Sequence, residues 1–131
     1  MSTGNLDIIR DHYAASARGD LEGMLAAFAP DIAWTEMAGF PYAGTYHGAA
    51  AIVANVFARI GAEWEGFRVD VDELLDAGDT IVAIGSYSGT YRETGKPMTA
   101  RVVHVWRLRD GKAVAFEQFV DTLEVAGAIR A

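Results

Sequence analysis

The sequence predicts an α+β fold, with three N-terminal helices packed on one face of a curved, mixed or antiparallel sheet. Three observations carry this expectation. Apolar residues recur at helical spacing in segments between Asn5 and Ile60. From Phe67 onward they alternate with the period of strands. Asp110-Gly111 then separates two such runs, and it is a strong hairpin turn because both residues tolerate positive φ.

Asn5 to Arg18 reads as the first helix. Ile8, His12 and Ala15 fall on one stripe, Ile9, Tyr13 and Ser16 on the next, and Gly19 ends it. Asp20 can cap a second, short helix whose apolar face is Leu21, Met24, Leu25 and Phe28, and Pro30-Asp31 stops it. Ile32 to Met37 reads as a strand, followed by an irregular Gly/Pro/Tyr loop to Gly48. A third helix from about Ala49 to Ile60 would bury Ile52, Val56, Phe57 and Ile60. Four strands follow: Phe67 to Leu75, Thr80 to Arg92, Met98 to Arg109 and Lys112 to Thr122. No linker, repeat or low-complexity tract interrupts the 131 residues, which suits one domain with one core.

Composition narrows the function. The net charge of −7 repels nucleic-acid phosphates and anionic lipid, so neither is an expected partner. The chain has no cysteine, which removes disulfides, thiol nucleophiles and cysteine-ligated metals. His12, His47 and His104 lack metal-ligand spacing, so no metal is expected. Gly44 to Gly48 (GTYHG) lacks the Gly-Lys-Ser/Thr ending of a phosphate loop, no dinucleotide fingerprint appears, and no cofactor is expected. MSTGNLDIIRDHY carries neither a basic leader nor a long apolar run, and no stretch approaches the ~18 apolar residues of a membrane span; a cytoplasmic location is the default expectation.

The segment WTEMAGFPYAG (34–44) sets one acid, Glu36, among Trp34, Met37, Phe40 and Tyr42. An ionised carboxylate in apolar surroundings is costly unless paired, so its presence there points to use. GDLEGMLAAFAPDIAWTEM (19–37) resembles the second helix and first strand of the nuclear transport factor 2-like superfamily, in its ketosteroid isomerase and SnoaL-like polyketide cyclase branches. VVHVWRLRDGKAVAFEQFVDT (102–122) resembles their closing hairpin, and element order and length match over nearly the whole chain. The resemblance implies a cone-shaped, cystatin-like roll. Its bent sheet would wrap a long helix around an apolar pocket for a small apolar molecule, and the chain would form a homodimer through the sheet. The fold hosts enzymes and non-enzymes alike, so it does not by itself fix a reaction.

Ketosteroid isomerases place a carboxylate base, a tyrosine and a protonated aspartic acid in the pocket. Carried over by position, the resemblance puts the base at Glu36, the helix group at His12 with Tyr13 beside it, and the second oxyanion group at His104. Two of the three positions are therefore histidine. Beside Glu36, His104 would stabilise the carboxylate and weaken it as a base, which argues against steroid isomerisation. A carboxylate–imidazole pair suits other proton transfers, such as aldol-type cyclisation, dehydration or water activation. SnoaL-like cyclases also carry an acid on the last strand, as Asp121 here. Alternation puts Asp121 on a face with Glu117 and Phe119, with Gln118 and Phe116 opposite, and leaves open which face is concave; the resemblance favours Asp121 toward the pocket.

The candidate catalytic residues are thus Glu36, His104, Asp121 and His12, and the candidate substrate-binding residues Tyr13, Trp34, Tyr42, Arg101 and Trp106. Each has a plainer reading. Glu36 could face solvent or pair with Arg101, His104 could be a hydrogen-bonded core residue, and Asp121 could cap backbone amides. The expected activity is that of a cofactor-independent isomerase, cyclase or lyase acting on a small apolar carbonyl compound. The alternative is a binding or dimerisation module of the same fold, with Val103, Val105 and Arg107 on the opposite strand face suited to a dimer interface.

Overall fold

The computed structural model describes residues 4–131. Helix α1 (Asn5–Ala17) buries Ile9, His12 and Ala15, the i, i+3, i+6 stripe expected of an amphipathic helix, and Gly19 turns the chain at φ 70°. Asp20 then caps α2 (Leu21–Leu25), its side chain accepting from the Gly23 amide at 2.9 Å. Strands β1 (Phe28–Glu36) and β2 (Gly44–His47) follow. The third helical stretch runs without a break through α3 (Ala49–Ile52), a π-helical turn (Val53–Phe57) and α4 (Ala58–Glu63). Strands β3 (Trp64–Ala77), β4 (Thr80–Tyr91), β5 (Pro97–Arg109) and β6 (Lys112–Val120) complete the sheet, and α5 (Thr122–Ile129) ends the chain.

The six strands form one sheet in the order β2-β1-β6-β5-β4-β3. β1 runs parallel to β6, and every other neighbouring pair is antiparallel. The mixed sheet with its N-terminal helices is the α+β class read from the sequence. The parallel pairing matters for the site, because it sets Trp34 opposite Phe116 with the rings stacked 3.6 Å apart. β5 alternates as expected: Ala100, Val102, His104, Trp106 and Leu108 are buried together. On β6 the inward residues are Phe116, Gln118 and Val120.

Three local features were not legible in the sequence. β2 looked like loop; it is four residues long, mostly exposed, and exists because β1 supplies its ladder. β1 starts at Phe28 and passes through Pro30, which a register irregularity between Phe28 and Ala33 accommodates without a ladder bond. The chain after Val120 is helical, and Val125 and Ala128 of α5 are buried in the cluster around Tyr42, Trp64 and Val102. A larger cluster gathers Ile9, Ile32, Trp34, Ile52, Trp106 and Phe116 between helices and sheet.

The sheet is bent where β3 crosses β4. The register shifts between Val71 and Glu73, and on the partner strand Gly85 lies so close to the Asp70 carbonyl that a Cβ would collide with it. A bulge of this kind increases local twist and helps curve the sheet around its contents. Among the described residues no helix is long and apolar enough to cross a membrane.

Candidate active site

Glu36 is the last residue of β1, and the alternation that buries Ile32 and Trp34 carries it inward as well. It is 4% exposed. Among the described residues its Oε2 meets no hydrogen-bond partner, and neither does the Trp34 indole N–H on the same strand face. Burial therefore pushes the carboxyl up from 4.5 to about 8, with the nearby Trp34 N–H opposing the rise although it is not aligned as a hydrogen bond. The ion pairs among the described residues lie at exposed or half-exposed side chains elsewhere, and none involves Glu36. At neutral pH roughly a tenth of this carboxyl is ionised.

His104 stands on β5 between two tyrosines. Its Nδ1 lies 2.6 Å from the Tyr13 hydroxyl of α1, and its Nε2 lies 2.6 Å from the Tyr87 hydroxyl of β4. The chain continues at both ends: Trp106 Nε1 donates to Tyr13 at 2.9 Å, and Gln118 Nε2 donates to Tyr87 at 2.9 Å. Gln118 is held in turn by the Met37 amide, which donates to its Oε1 at 3.4 Å. Burial lowers the imidazole to about 3, helped by the neighbouring His12, so the ring is neutral. Burial raises both tyrosines, and for Tyr87 the charge of Glu36 adds to the rise.

His12, one helical position before Tyr13, packs edge-on against Trp106. Its Nδ1 lies 3.0 Å from the Met24 carbonyl oxygen. A carbonyl only accepts, so Nδ1 carries the proton and Nε2 is bare. Burial lowers this ring to about 4.

These groups line a cavity of about 630 Å³, within the size range of small-molecule sites. Its polar wall includes Glu36, His12, Tyr13, Tyr87 and His104, with Ser16 and the paired Arg68 and Asp70 also lining it, and its apolar wall includes Trp34, Trp106, Phe116, Phe67 and Ile60. Val56 and Phe57, from the π-helical turn, also face it; such turns recur where a helix shapes a site. Among the described residues no three His, Asp or Glu side chains converge as metal ligands.

Glu36, His104, His12, Tyr13, Trp34 and Trp106 are thus brought together around one cavity. Three predicted residues are not. Tyr42 is buried away from it, donating to Glu63 at 2.8 Å and accepting from Trp64 Nε1 at 3.0 Å. Arg101 points to the outer face of β5, where it pairs with Asp72 at 2.7 Å and bonds Ser86. Asp121 is exposed and caps α5 by accepting from the Glu124 amide, because the inward face of β6 is that of Phe116 and Gln118. The expected carboxylate–imidazole pair is also absent, since both His104 nitrogens are taken by tyrosines. The direction at Glu36 is correspondingly reversed: unpaired and dry, its carboxyl is raised rather than stabilised as the anion.

Tyr87 and Gln118 were missed. Tyr87 is a core residue, but its hydroxyl is the link between His104 and Gln118. The available signal for Gln118 was its place on an apolar strand face with Phe116 and Val120, since a buried amide needs partners.

A mixed sheet curved around an aromatic cavity, with N-terminal helices over it, places the molecule among nuclear transport factor 2-like, cystatin-like folds. The chain belongs to the SnoaL-like domain family, whose sequence profile matches residues 9–116. It is similar to an NTF2-like protein of Burkholderia thailandensis, with 56% identity, TM-score 0.97, and 99% of this chain and 100% of that one covered. An NTF2-like protein of unknown function from Burkholderia pseudomallei matches at 35% identity and TM-score 0.90, over 99% of this chain and 100% of that one. TerC, co-crystallised with polyporic acid, matches at 30% identity and TM-score 0.87, over 98% and 100%. No curated protein matches the chain.

Proposed function

We propose that the protein is a cofactor-independent proton-transfer enzyme, of isomerase, cyclase or lyase type, acting on a small apolar carbonyl compound. One observation carries the reading: an unpaired carboxyl at the cavity wall whose affinity for a proton lies near neutrality, at about 8. A group so tuned can both take and return a proton at working pH. In this reading the ionised fraction of Glu36 removes a proton α to the carbonyl, and the resulting acid returns it elsewhere on the same molecule. A tyrosine hydroxyl and the free Trp34 N–H are the donors available to the carbonyl oxygen. The aromatic walls suit a flat, largely apolar ligand. The similarity to TerC, which was co-crystallised with polyporic acid, supports a small organic ligand in this cavity.

The test uses 1-tetralone, a compact aryl ketone with exchangeable α-hydrogens, followed by NMR in deuterated buffer. Wild type should accelerate deuterium uptake, and Glu36→Gln should lose about 10²–10⁴-fold of that acceleration. Equal exchange in the two proteins removes Glu36 from the chemistry.

A second reading is favoured by the lack of any contact between Glu36 and His104. The same cavity would then hold such a compound without turning it over. In that case 1-tetralone stabilises the fold, while its α-hydrogens exchange no faster than in buffer. We also propose self-association through the outer sheet face, where Val103 sits in register with Phe119, which is 42% exposed.

A further inference from the structure

The protons of the Tyr13–His104–Tyr87 chain can be counted. A neutral imidazole has one N–H and one bare nitrogen, and here each nitrogen faces a tyrosine hydroxyl at 2.6 Å. One of those contacts must be N–H donating to a phenol oxygen, and the other a phenol O–H donating to nitrogen. One tyrosine therefore spends its proton on the ring, and the other keeps a proton that the ring cannot accept. Among the described residues neither hydroxyl finds another acceptor: the remaining contacts, from Trp106 Nε1 to Tyr13 and from Gln118 Nε2 to Tyr87, both bring donors. Both tyrosines line the cavity, so the leftover proton belongs to the ligand.

We propose that His104 is a positioning residue at the centre of a proton relay, in which its ring tautomer decides whether Tyr13 or Tyr87 offers a proton to a ligand oxygen. The inference deepens the proton-transfer reading of this cavity, on which its catalytic meaning rests; the proton count itself does not depend on turnover. The step balances as follows. With the ring proton on Nδ1, Tyr13 gives its own proton to a ligand oxygen as the Nδ1 proton passes to the Tyr13 oxygen. The Tyr87 proton moves to Nε2, and the Tyr87 oxygen takes a proton from an acid on its side of the cavity. Glu36, which lines the same cavity as Tyr87, is the acid available there. Afterwards both phenols and the imidazole are neutral again, and the ring holds the other tautomer. One proton has crossed the cavity wall, and the only charge left behind is the carboxylate of Glu36, the base in the proton-transfer reading. Such a relay requires a ligand that presents an accepting oxygen (a ketone, quinone or enolate) rather than a hydroxyl donor, because the free Trp34 N–H and the mostly protonated Glu36 are donors as well.

Nitrogen-15 NMR of the His104 ring in the ligand-free protein tests this directly. In wild type the ring should read as neutral, with both nitrogen shifts intermediate between protonated and bare values. Tyr13→Phe and Tyr87→Phe should move the ring proton in opposite directions, toward different nitrogens. Glu36→Gln should leave the ring signature in place, so a failed exchange experiment and a failed relay remain distinguishable. An imidazolium at neutral pH, or one fixed tautomer in wild type and both phenylalanine variants, overturns the relay. If a variant does not fold, wild type alone decides: one nitrogen fully protonated and the other fully bare at every temperature is also a refutation.

Discussion

Glu36→Gln should change how stability depends on pH, and the sign follows from three buried groups. The folded protein holds the Glu36 carboxyl at about 8 against an ordinary 4.5, so between those values the unfolded chain ionises and the folded one does not. Its stabilising share is full below the unfolded value and is lost as pH rises through the folded one. His12 and His104 act in the opposite sense. Burial lowers them to about 4 and about 3 from 6.5, so their share is full above 6.5 and is lost as pH falls. Between 4.5 and 6.5 two histidines outweigh one carboxyl, and above 6.5 the carboxyl outweighs what remains of their titration. The three groups together place a stability maximum near pH 6.5. From there to pH 8, at about 1.4 kcal/mol per pH unit of proton linkage, Glu36 contributes a loss of roughly 1.5 kcal/mol; the two histidines, half protonated in the unfolded chain at 6.5, offset about half of it, so wild type should lose about 1 kcal/mol. For a chain of this size that is a fall in Tm on the order of 5 °C. Glutamine carries no titrating proton, so the loss over this window should vanish in the variant. Urea unfolding of both proteins at the two pH values measures it. If the two proteins lose stability in parallel, Glu36 is not a raised, buried carboxyl, and the reasoning about its chemistry fails with it.

Asp121→Ala should cost about 1 kcal/mol, the usual worth of an N-cap, and leave 1-tetralone exchange unchanged; a loss of exchange with the fold intact would return Asp121 to the site. Light scattering at micromolar concentration should give the mass of a dimer, and Phe119→Glu, by charging the centre of the outer face, should give a monomer. A monomeric wild type rules that interface out.

Periodicity and turn chemistry made much of the fold readable. The adjoining stripes Ile8, His12, Ala15 and Ile9, Tyr13, Ser16 placed α1, of which Ile9, His12 and Ala15 prove buried; Asp20 marked the start of α2, and Asp110-Gly111 marked the β5–β6 hairpin. Those signals are local: a face, a cap and a turn are each fixed by residues a few positions apart. β2 was not readable, because a four-residue strand of Gly, Thr, Tyr and His has no apolar period of its own and is defined by pairing with β1. α5 was hidden for a related reason, since its cap, Asp121, is also the residue that the family resemblance drew into the pocket.

By itself the sequence determined which side chains share a face. Trp34 with Glu36, and His104 with Trp106, follow from the pleat of a strand, and all four reach the cavity. Only the tertiary structure decided which faces turn inward and what each polar group meets there. The burial of the Phe116, Gln118 and Val120 face of β6 puts Gln118 inside, and the start of α5 leaves Asp121 outside as its cap. The antiparallel pairing of β4 with β5 and the packing of α1 over the sheet bring Tyr87 and Tyr13 to His104 from positions 17 and 91 residues away in the chain. Proton affinity depends on those distant neighbours and on the exclusion of water, neither of which is written in any local run of residues. That is why the sequence could point to Glu36 as an acid out of place, while only the folded chain shows it unpaired and tuned to about 8.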